Sequence, residues 1–202
     1  RGPSSSKTSM LRHALASISG PLAPGARGLA TQARRWSVYL SGEIHTDWRE
    51  QITKGCESSG LPVDLVGPNP VHIDSDDCGA LIIGDEEKRY WYDKKGASMN
   101  SIRTRTLMEE ADLVVVRFGP KYKQWNAAFD AGYAAAKGIP LITMHDEDLV
   151  HPLKEVNAAA LFAVQTPEQV VQTMAYLTTG ALPEAPGGFV PMADRLGLDP
   201  KR

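Results

Sequence analysis

The chain has 202 residues, 42% of them hydrophobic, enough to bury one core and too few for a second. Its net charge of −2 conceals an asymmetry: residues 1–35 carry six Lys or Arg and no acid, whereas residues 36–202 carry sixteen basic and twenty-four acidic side chains, a net of −8. An acidic body argues against a nucleic-acid face, no apolar run is long enough to span a bilayer, and two cysteines without CxxC or Cys-His spacing argue against a disulfide framework or structural zinc site.

Residues 1–35 are rich in Ser, Ala and Arg, and read as a transit-peptide-like or attachment arm with Met10 as a start and Leu11, Leu15 and Ile18 at amphipathic spacing. That composition predicts a mitochondrial protein on the matrix side, with a plastid as the weaker option. From Trp36, strands and helices alternate as in an α/β domain over residues 36–180. Residues 37–40 are a first strand, and SGEIH leads into a helix starting near Thr46 or Asp47, with Trp48, Ile52 and Cys56 on one face. Residues 62–66 are a second strand, and residues 67–84 are expected to be a long irregular acidic loop, a lid or an interface.

A helical region over residues 85–111, with a break expected at Gly96, feeds a third strand at residues 113–116. The next helix is lined with Ala127, Ala128, Ala131, Gly132, Ala134 and Ala135, so it can lie close against a sheet, and it leads to a fourth strand at residues 140–143. His145 and the acids after it are expected to be a solvated loop rather than a divalent-ion site. A helix over residues 153–160 and a fifth strand at residues 161–164 precede a last helix, with Thr166, Pro167 and Gln169 as cap, first-turn proline and capping-box partner and Gly180 at its end. Residues 181–202, with four prolines and three glycines, are expected to be a tail.

One carboxylate stands out. Asn126, Asp130 and Ala134 share a helical face, with Asp130 in the second turn, where the positive dipole end favours an ionised acid. Trp125, Tyr122 and Phe118 lie beside Arg117, Lys121 and Lys123, flat faces and cations that suit a nucleobase carrying a sugar or phosphate. In the first loop, Glu43, His45 and Asp47 are candidate acid, base or ribose-hydroxyl partners, against capping by Asp47. Asn100 and Arg103, one turn apart, can hold a phosphate or carboxylate. Neither GxGxxG nor GxxxxGK[ST] occurs, so no cofactor is expected, and no metal.

With VYLSGEIHTDWREQI, NSIRTRTLMEEADLVVVRFG, KYKQWNAAFDAGYAAAKG and HPLKEVNAAA in order, residues 36–180 closely resemble the YtoQ family. The resemblance implies a nucleoside 2-deoxyribosyltransferase-like fold, a flavodoxin-like three-layer sandwich with a five-stranded parallel sheet. In deoxyribosyltransferases, a Glu in a motif similar to GTxxELGYA attacks the anomeric carbon and displaces the base. Asp130 of FDAGYA occupies that place, one methylene shorter. With Asp130 placed by the resemblance, the expected catalytic set is Asp130 with Glu43 and Asp47, and the expected substrate-binding set is His45, Asn100, Arg103, Tyr122, Trp125 and Asn126. The expected function is nucleoside or nucleotide binding, with deoxyribosyl transfer or hydrolysis at an N-glycosidic bond. The alternative is a non-catalytic accessory subunit of a large mitochondrial assembly; a homo-oligomer is also compatible.

Overall fold

A computed structural model describes residues 34–121 and 124–198. Residues 1–33 of the transit-peptide-like arm expected over residues 1–35, and the stacking role expected of Tyr122, lie outside them. The described strands are β1 (Trp36–Gly42), β2 (Val63–Val66), β3 (Leu113–Phe118), β4 (Leu141–His145) and β5 (Phe162–Val164), all parallel and ordered β2-β1-β3-β4-β5. This is the flavodoxin-like order, and it reverses direction between β1 and β3.

The helices are α1 (Trp48–Ser58), α2 (His72–Ile83), α3 (Arg89–Glu109), α4 (Trp125–Ala136), α5 (Lys154–Ala159), α6 (Pro167–Thr179) and α7 (Met192–Leu196). Alternation along the strands divides the core. Val38, Leu40, Val115, Ile142 and Met144 pack with Trp48, Ile52 and Cys56 of α1 and Val170, Val171 and Met174 of α6. Tyr39, Val114, Val116 and Leu141 point the other way, onto Met108 of α3 and Ala127, Ala131 and Ala134 of α4. Both sheet faces are therefore dry, which is why the central strands are continuous apolar runs. The capping box of α6 forms as expected: Gln169 N donates to Thr166 Oγ1 at 3.2 Å, Thr166 N donates to Gln169 Oε1 at 3.2 Å, and Gly180 closes the helix in the left-handed region.

Three expectations are corrected. The loop expected at residues 67–84 holds α2, with Asp74 in its first turn and Gly84 (φ 102°) at its end. The break expected at Gly96 is absent, because α3 runs unbroken through it. Both differences have one cause: a Cβ on Gly79 of α2 would lie 2.4 Å from Gly96 N, and one on Gly96 would lie 2.7 Å from the Asp76 carbonyl oxygen. The helices meet backbone to backbone through their glycines, so α2 buries no apolar stripe and leaves Ile73, Leu81 and Ile82 exposed. The third correction is His145, the last residue of β4 rather than a loop residue. It is 2% exposed, with Nδ1 2.8 Å from the Asp146 carbonyl oxygen and Nε2 3.1 Å from Asn157 Oδ1. The tail carries the short exposed helix α7. No described helix is long and apolar enough to cross a membrane.

Candidate functional site

Open α/β sheets take ligands beyond the carboxyl ends of their strands, where the strand order reverses. Here that place is between β1 and β3, where Ser41 pairs with Val116 and Gly42 with Arg117. Gly42 turns the chain out of the sheet with φ 114°, and a Cβ there would lie 2.1 Å from the Arg117 carbonyl oxygen. Only glycine fits such a close approach at positive φ.

The loop after Gly42 is braced from two sides. Arg49 donates from Nε to the Leu40 carbonyl at 3.1 Å, from Nη1 to that of Glu43 at 2.7 Å and from Nη2 to that of Gly42 at 3.1 Å, while its guanidinium lies over the Trp48 ring. Glu43 is buried and accepts from His45 N at 2.7 Å, Thr46 N at 3.2 Å and the Thr46 hydroxyl. Burial acts to raise its pKa, but these hydrogen bonds and nearby Arg117 more than compensate, so it lies below the usual Glu value. Glu43 is therefore the anionic anchor of the loop. Arg49→Met keeps the apolar stem but strips charged donors from three carbonyls, and should cost about 2 kcal/mol in a urea titration.

A cleft of about 570 Å³ opens beside this loop, a volume suited to a small organic ligand. Ser41 and Gly42 of β1, Asn69, His72 and Asp76, Asn100 and Arg103 of α3, and Asn126, Phe129 and Asp130 of α4 line it. Asp130 is half-buried, and Ser41 Oγ donates to its Oδ2 at 2.5 Å. Burial raises its pKa, and the Ser41 hydrogen bond opposes that in part. Removal of the carboxylate from water thus acts against the ionisation that the helix-dipole argument favoured. The buried Tyr39 hydroxyl lies 3.4 Å from Thr104 Oγ1 and has its pKa pushed up to about 12, chiefly by burial, with the Asp130 charge also raising it.

Of the residues anticipated from sequence, the cleft brings together Asp130, Asn126, Asn100 and Arg103. Asn100 Nδ2 donates to the Ser75 carbonyl at 2.8 Å and so ties α3 to α2, and Arg103 Nη2 reaches the Gly67 carbonyl at 3.3 Å. Glu43, His45, Asp47 and Trp125 are not among the lining residues. Glu43 is occupied in its loop. Asp47 sits at the N-cap of α1 without a side-chain cap bond and instead accepts from Gln51 Nε2 at 2.8 Å. Trp125 is 72% exposed at the start of α4, and among the described residues Phe129 is the large apolar ring lining the cleft. Sequence reasoning missed Ser41, Tyr39 and Phe129, together with His72 and Asp76, which pair at 3.0 Å on the unanticipated α2. The visible signal for Ser41 was a polar residue two places after Tyr39 on one strand face.

Comparison with known proteins adds the following. The family model described as nucleoside 2-deoxyribosyltransferase YtoQ matches residues 39–178. Over 140 residues the chain is 46% identical to a protein of Bacillus subtilis (strain 168) described as uncharacterized protein YtoQ, covering 69% of this chain and 95% of the relative. Among solved structures, a conserved protein from Enterococcus faecalis V583 overlaps with a TM-score of 0.44 at 16% identity, covering 71% of this chain and 99% of that one. A 2-deoxyribosyltransferase from Bacillus psychrosaccharolyticus overlaps with a TM-score of 0.42 at 10% identity, covering 67% and 90%. The relative is a bacterial protein, which overturns the expected mitochondrial or plastid location. Nothing in these matches supports the accessory-subunit alternative.

Proposed function

Because the chain belongs to the nucleoside 2-deoxyribosyltransferase YtoQ family, we propose that it binds a nucleoside or nucleotide in the cleft between β1 and α2 to α4 and cleaves its N-glycosidic bond through Asp130. The observation that carries this reading is the half-buried Asp130 carboxylate at the β1/β3 switch point, lining the cleft and held by Ser41. In the first step, an ionised Asp130 oxygen attacks the anomeric carbon, the bond from that carbon to the base nitrogen breaks, and the electron pair leaves with the base, which takes a proton from solvent. In the second, water or another base attacks the same carbon and gives up one proton to solvent, the ester to Asp130 breaks and the carboxylate is regenerated. Water gives hydrolysis, and a second base gives transfer. No metal enters this scheme.

The roles assigned to the other groups follow from placement. Phe129, 58% exposed at the cleft wall, offers an apolar face to a base. Asn126, one turn before Asp130, offers an amide to sugar hydroxyls, and Arg103 suits a phosphate if the ligand carries one.

The test is incubation with nucleosides and nucleoside 5′-monophosphates, reading free base by chromatography and the melting temperature in parallel. Base release together with ligand-induced stabilisation is expected, because any ligand that binds the folded state stabilises it by mass action. Stabilisation without base release would leave only a binding module. If millimolar ligand gives neither, the reading fails.

A further inference from the structure

We infer that Ser41 is the positioning residue of this site: its hydroxyl, buried at the end of β1, holds one carboxylate oxygen of Asp130 and presents the other to the cleft. This rests on the reading of Asp130 as the nucleophile, and it adds a residue that the family motif around Asp130 does not contain.

The argument begins with the strand. The face of the sheet toward α4 is built from Tyr39, Val114, Val116 and Phe118, and Ser41 interrupts it while only 1% exposed. A hydroxyl so placed needs a partner, since leaving it unsatisfied costs more than the bond itself contributes. Its partner is Asp130 Oδ2 at 2.5 Å, and among the described residues the Asp130 carboxylate has no other hydrogen bond. The reach depends on the small residues of α4. Ala127, Ala131 and Ala134 bring that helix close to β1 and β3, so a side chain with one methylene spans the gap. One oxygen is thereby fixed, and the other remains for the anomeric carbon.

The hydrogen bond has a second effect. It favours the anion, against the burial that disfavours it. Other charges around the site are Asp93, Arg103 and Arg105 of α3 and the His72–Asp76 pair of α2, which line the same cleft, with the Tyr39 phenol on β1. None of these is hydrogen-bonded to Asp130, so the Ser41 hydroxyl is the group that directly counters the effect of its burial.

The experiment follows Asp130 directly, without substrate, from its carboxyl ¹³C resonance in ¹³C-aspartate-labelled protein, assigned by its absence in Asp130→Asn. In Ser41→Ala the titration midpoint should move to higher pH, and in Ser41→Thr, which restores the hydroxyl, it should return toward wild type. Base release by Ser41→Ala should fall about tenfold, the equivalent of one charge-assisted hydrogen bond, with its acid limb displaced in the same direction. If Ser41→Ala does not fold by circular dichroism, Ser41→Cys, a weaker donor of similar size, carries the same comparison. An Asp130 midpoint unmoved by loss of the hydroxyl overturns the inference. Turnover that survives Asp130→Asn would instead overturn the nucleophile assignment, and the resonance would still report on Ser41.

Discussion

Asp130→Asn is expected to lose base release by about 10³-fold or more while melting above the wild type at neutral pH. The loss follows because an amide oxygen neither attacks the anomeric carbon nor forms the ester on which the second step depends, and removal of a nucleophile has effects of this size or greater. The gain follows from linkage. Burial raises the folded-state pKa of Asp130 above its unfolded value, so the folded protein binds that proton more tightly. Stability then falls as pH rises from the unfolded value through the folded one, and the penalty is complete above the folded pKa. Asparagine carries no charge to desolvate and its oxygen can still accept from Ser41, so the advantage of the variant should be absent at pH below that window and full above it. Wild-type base release should show the same group as an acid limb above the ordinary Asp range, because only the anion attacks. Melting curves and rates from pH 3 to 8 check both. A variant that is less stable than wild type at every pH would mean that the charge is not destabilising.

Gly79→Ala should unseat α2 and cost about 3 kcal/mol, although alanine is the better helix former. Propensity favours the substitution by about 1 kcal/mol. Against it, the new methyl would lie 2.4 Å from Gly96 N and from the Lys95 carbonyl carbon, backbone atoms that cannot swing aside. The two helices must separate, and overpacking of this kind costs about 1–3 kcal/mol or more. Separation also strains the Asn100 bond to Ser75 and moves the α2 wall of the cleft, so ligand-induced stabilisation should vanish along with the packing. Gly132→Ala is the control. That glycine lies in α4 with nothing within 4 Å of the added Cβ, so it should be stabilised by about 1 kcal/mol. Urea titrations of both variants, with hydrogen exchange to locate the opening to α2 and α3, test the prediction. Equal gains in the two would remove the steric argument.

The sequence by itself determined the α/β alternation, the parallel strands and the capped α6, because these depend on local pattern: apolar β-branched runs and a capping box. It also determined that α4 would be small-sided, which underlies the short reach to β1. Only the tertiary structure decided the rest. Helix α2 was hidden because glycine-to-glycine contact needs no apolar stripe, so its sequence lacks the periodicity by which helices are recognised. Gly96 looked like a break for the same reason, since a residue that costs a lone helix stability becomes an asset where another backbone must approach. Glu43 looked catalytic from residue type and spacing, but its lone pairs go to Thr46 and two backbone amides, a matter of loop geometry. Ser41 and Asp130 stand 89 positions apart, and only the pairing of β1 with β3 beneath α4 brings them to 2.5 Å. The ionisation of Asp130 was equally a tertiary matter: burial in the folded protein raises its pKa, against the Ser41 hydrogen bond.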